Sequence, residues 1–103
     1  MPKSLFPFTA AAKLKRSRAR YRKIKLENMR SMRILVRNEE VSHRSVRSFY
    51  IDPGEALIEL FRQGTVFYFW EKNMLLAEFT VPETLDRKAL TIAIAQNGTL
   101  SVT

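Results

Sequence analysis

Cysteine is missing from this sequence, and histidine occurs once, at His43. The first absence excludes a disulfide framework, a cysteine-ligated zinc site and a cysteine nucleophile, and it fits a reducing compartment, so a cytoplasmic location is expected. The second excludes a multi-histidine metal site, and no cofactor is expected. Long apolar runs are missing too. Residues 66–70 and 74–77 are the main ones, far short of the roughly 20 residues that a spanning helix needs. Acids are missing from residues 1–26.

Catalytic signals are equally thin. Nothing marks a nucleophile–base–orienter set around His43. Asp52 with Asp86-Arg87-Lys88 faintly resembles a nuclease carboxylate–lysine arrangement, but Asp52 is explained as a helix cap and Asp86 falls in a loop. A metal-free RNA-cleaving site built from His43, Arg44, Arg47 and Tyr50 has no motif behind it. The chain reads as a non-enzyme.

What is present is positive charge in one place. Residues 13–25, KLKRSRARYRKIK, hold eight cations and no acid. Residues 1–33 hold eleven Lys or Arg against one acid, and residues 34–103 hold seven against nine. Concentrating charge in this way costs self-repulsion that an anionic partner relieves. Two units are therefore expected: a basic N-terminal arm over 1–32 and a near-neutral globular body over 33–103. Residues 1–26 also have the Arg- and Ser-containing, acid-free composition of an organelle transit peptide, whereas the proline-containing LFPFTAAA reads poorly as a secretory signal.

Residues 10–32 contain neither Gly nor Pro and are rich in Ala, Lys, Arg, Leu and Met, which predicts a helix, or a disordered segment that becomes helical once a partner neutralises it. In the body, 33–37 and 41–51 read as strands about a turn at Asn38-Glu39-Glu40. Residues 52–64, DPGEALIELFRQG, predict a capped helix. Asp52 serves as N-cap, Pro53 fills the first turn, and Glu55 completes a capping box. Ala56, Leu57, Leu60 and Phe61 form its buried stripe, and Gly64 its left-handed stop. Residues 65–70 and 74–81 read as a hairpin around Glu71-Lys72-Asn73, and 90–96 and 99–103 as another around Asn97-Gly98. The expected fold is α+β: a small antiparallel sheet with one packed helix, preceded by the arm.

This pattern points to nucleic-acid binding through phosphate contacts from Lys13, Lys15, Arg16, Arg18, Arg20, Arg22, Lys23 and Lys25, with Tyr21 placed to stack on a base. His43, Arg44, Ser45 and Arg47 offer a second basic patch, or simply the charged face of an edge strand. RNA is favoured over DNA because the arm resembles Arg-rich RNA-binding helices in composition, and no DNA-reading motif is present. The alternative is an adaptor or inhibitor that binds an acidic protein through the arm and the aromatic strand 66–70. That strand is a core strand if both its faces are covered. If Val66, Tyr68 and Trp70 are uncovered, it is a protein–protein or homodimer surface.

Overall fold

A computed structural model describes residues 21–40 and 44–103, in which eight strands form two four-stranded sheets and no helix occurs. The strands are β1 (Tyr21–Asn28), β2 (Ile34–Glu40), β3 (Ser45–Ile51), β4 (Ala56–Arg62), β5 (Val66–Glu71), β6 (Met74–Thr80), β7 (Leu90–Ile94) and β8 (Leu100–Val102). One sheet runs β4-β1-β7-β8 and the other β3-β2-β5-β6. All pairings are antiparallel except β1 with β7.

The expected α+β fold is therefore wrong, and it fails at two places. The first is 52–64. Pro53-Gly54 closes a turn in which the Glu55 N–H donates to the Asp52 carbonyl at 3.0 Å, with Gly54 at φ 76°. That is the Pro-then-Gly order of a type II turn, and the left-handed glycine breaks a helix at its first step. Asn28 then takes both exposed backbone groups: its N–H donates to the Glu55 carbonyl at 3.0 Å, and its carbonyl accepts from the Gly54 N–H at 2.9 Å. Residues Ala56–Arg62 continue as β4 along β1. Gly64 does adopt positive φ, 86°, but in the turn that leads from β4 to β5.

The second place is the expected helix over 10–32. Its residues 21–28 form β1, an interior strand held by β4 on one side and β7 on the other. The alternation explains this: Arg22, Ile24, Leu26 and Asn28 are buried, while Lys23 is exposed and Lys25 and Glu27 are half-buried. The first sheet thus includes β1, which falls inside the segment 1–32 expected to be a separate arm. The turn expected at 38–40 is also displaced, since β2 runs through Glu40 and pairs there with Ser45.

The sheets enclose one apolar core. Ile24, Leu26, Phe61, Ile92 and Ile94 come from the first sheet, and Ile34, Val36, Ile51, Phe67 and Phe69 from the second, with Val81 from the loop after β6. Phe61 meets Phe67 edge-on across the gap, with centroids 4.7 Å apart and planes at 84°, a geometry worth about 0.5–1.5 kcal/mol beyond simple burial. Asn28 is fully buried and satisfied: its Nδ2 donates to the carbonyls of Met32 (2.8 Å) and Ile51 (2.9 Å), and its Oδ1 accepts from the Arg30 N–H.

Candidate functional site

The residues expected to contact nucleic acid divide among several places. Lys13, Lys15, Arg16, Arg18 and Arg20 lie outside the described residues, as does His43. Tyr21, Lys23 and Lys25 share the outward face of β1. Arg22 points the other way: it is 5% exposed, its Nε donates to the Lys88 carbonyl at 2.8 Å, and its Nη2 lies 3.4 Å from Asp86. It fastens the loop before β7 to the core, which is a structural task. Arg44 sits exposed at positive φ (51°) just before β3. Arg47 reaches from β3 across to Glu59 of β4 at 2.8 Å and lies over the rings of Phe49 and Phe61, closing one side of the sandwich.

Most cations of the body are matched with an acid. Lys25 pairs with Glu27, Arg30 with Glu71, Arg33 with Asp52, Arg37 with Glu39, and Arg62 approaches Glu40. The Asp52 carboxylate accepts a hydrogen bond from Arg33 and attracts its charge, raising the guanidinium pKa. Lys23 forms no ion pair among the described residues. Beside it on the edge strand β4, Ile58 and Leu60 project outward, 56% and 63% exposed, at the register positions of Lys25 and Lys23.

The other sheet carries the larger feature. The ladders place Tyr50, Leu35, Trp70 and Leu75 in one row across β3, β2, β5 and β6. The next row is Ser48, Arg37, Tyr68 and Glu78, and the third is Val46, Glu39, Val66 and Thr80. A bulge after Phe69 brings Leu75 opposite Trp70 while Leu76 and Ala77 both pack on the core. No strand or loop among the described residues covers this face. Tyr50 is 62% exposed with Arg33 over its ring at 4.9 Å, and Tyr68 and Trp70 are half-buried. Two shallow concavities mark it, about 230 Å³ beside Arg37, Glu39, Tyr68 and Trp70, and about 350 Å³ among Met32, Arg33, Leu35, Tyr50 and Lys72. The sequence signalled Val66, Tyr68 and Trp70. It did not signal Leu35, Tyr50 or Arg33, because only strand pairing brings β2 and β3 beside β5.

No group of three or more His, Asp or Glu among the described residues is placed to hold a metal ion, and no helix there is long and apolar enough to cross a membrane. Comparison with protein-family models, curated proteins and solved structures finds no match.

Proposed function

We propose that this chain is a non-enzymatic nucleic-acid-binding protein, with RNA ahead of DNA, whose phosphate-binding surface is the segment 13–20 continued by Tyr21, Lys23 and Lys25 on β1. The observation that carries this reading is where the excess charge lies. Residues 1–20 hold six cations and no acid, whereas residues 21–103 hold twelve cations against ten acids, most of them joined in ion pairs. The excess charge runs directly into β1, where Lys23 stands exposed. Arg22 is not part of this surface, because its guanidinium is committed to Lys88 and Asp86.

The test is a titration of labelled single-stranded RNA, duplex RNA and duplex DNA over several salt concentrations. The intact chain should bind with a steep salt slope, and replacing Arg16, Arg18 and Arg20 by Gln should flatten that slope by about 2 units, since each phosphate contact contributes about 0.7–0.9. Absence of binding at low salt, or a slope that ignores those substitutions, overturns the reading. The alternative, an acidic protein held by the arm and the aromatic strand, is favoured by one observation: the outward Val66/Tyr68/Trp70 face is uncovered among the described residues. Excess tRNA would leave such a protein complex intact and would strip a nucleic-acid complex.

A further inference from the structure

We propose that the outward face of the β3-β2-β5-β6 sheet is a homodimer interface, in which a second copy packs face to face about a two-fold axis parallel to the strands and midway between β2 and β5. This goes beyond nucleic-acid binding and does not depend on it.

Composition comes first. The face and its rim bring together Trp70, Tyr68, Tyr50, Met32, Arg33 and Arg37, the residue types enriched in protein interfaces. Charge selects the occupant. A surface for a polyanion carries a clear excess of cations, but here Arg37 is paired with Glu39, Glu78 stands two strands away in the same row, and Arg33 at the rim is paired with Asp52. Carrying both signs in one apolar field lets a patch complement itself, as an isologous contact must.

The register then selects the axis. An axis along the strands lays β5 of one copy over β2 of the other and keeps each row facing the same row. Trp70 then meets Leu35 of the second copy, Tyr50 meets Leu75, Arg37 meets the Tyr68 ring, and Ser48 meets Glu78. The first two rows thus give two apolar contacts, a cation–π contact and a hydrogen bond, each made twice, while the third sets Val46 against Thr80 and Glu39, held by Arg37 of its own copy, against Val66. An axis across the strands through the Arg37 row would set Arg37 against Arg37 and Glu78 against Glu78. Like charges meeting across a dry interface cost several kcal/mol, so the first axis wins. Aligned sheets pack about 10 Å apart and about 30° askew, which keeps Trp70–Leu35 and Arg37–Tyr68 in place nearest the axis and leaves the outer Tyr50–Leu75 pair within reach of long charged side chains.

Trp70 is the one tryptophan of the chain, so it reports the interface directly. Light-scattering mass and tryptophan emission are followed on the intact chain from about 1 µM to about 500 µM, the range of weak to moderate association. Mass should double, and emission should shift to the blue over the same concentrations. Tyr50→Lys alone and Leu75→Glu alone, both at exposed positions, should each weaken the dimer about 10-fold or more, in keeping with loss of an interface anchor. The double variant should regain it, because the two-fold sets each new charge against its opposite on the other copy. Circular dichroism establishes that each variant folds. A monomer at every concentration overturns the proposal, as does a dimer indifferent to both single variants or a double variant with no rescue. Quenching of Trp70 by an oligonucleotide with no change in protein mass also overturns it, and identifies the face as a base-stacking platform instead.

Discussion

Asn28, at the end of β1, donates its Nδ2 hydrogen to the carbonyl of Ile51, at the end of β3, at 2.9 Å. One side chain thereby joins the two sheets, and it also holds the turn at Met32 and the backbone of Arg30. Asn28→Ala would strand the buried Ile51 carbonyl and the part-buried Met32 carbonyl and Arg30 N–H, at about 1–3 kcal/mol for a buried group left unsatisfied. We expect a loss of about 3 kcal/mol or more in urea unfolding, with Asn28→Asp little better because it cannot donate. A loss under about 1 kcal/mol, within ordinary surface scatter, would deny Asn28 this linking role.

Deleting residues 1–18 should leave a cooperative thermal transition, whereas deleting 1–30 should abolish it. The longer deletion removes β1, and with it Ile24 and Leu26 from the core and the shared partner of β4 and β7. Circular dichroism melts of the two truncations decide the matter, and a folded 31–103 fragment would contradict the sheet order.

Arg22→Ala and Lys23→Gln should behave oppositely although they are sequence neighbours. The first strips the Lys88 carbonyl of its buried donor and should cost about 1–3 kcal/mol of stability while leaving the salt slope of nucleic-acid binding unchanged. The second should leave the melting temperature unchanged and lower the slope by just under about 1 unit. Equal effects from both would place Arg22 at the ligand after all.

Gly54→Ala meets open space, with no atom within 4 Å of the added methyl, yet its backbone sits at φ 76°. We expect a cost of about 1–2 kcal/mol from the left-handed conformation alone. Gly54→Asn should cost less, since Asn tolerates that region. A neutral Ala variant would show that the turn can relax into another type.

Both hairpins, 66–80 and 90–102, were legible because alternation and Asn97-Gly98 are local signals. The 52–64 segment was not. Its Ala56, Leu57, Leu60 and Phe61 satisfy a helical stripe, while Leu57 and Phe61 inside with Ile58 and Leu60 outside satisfy a strand equally well. The open edge of β1 decides between them, and that edge lies about thirty to forty residues away in sequence. β1 was masked for a related reason: its outward lysines belong by composition to the basic run, and the Ile24/Leu26 alternation is too brief to outweigh it. Of the interaction face, the β5 residues could be read from the sequence. Tyr50 and Leu35 could not, because register is a property of the folded sheet.

The parallel pairing of β1 with β7 also sets an order of events. Residues 21–28 are synthesised early, yet one of their two edges stays open until residues 90–94 arrive. Closing so long a loop is slow, and non-local pairing delays folding more than it weakens the product. While β1 waits, its Ile24 and Leu26 are bare and its edge can pair with any strand at hand.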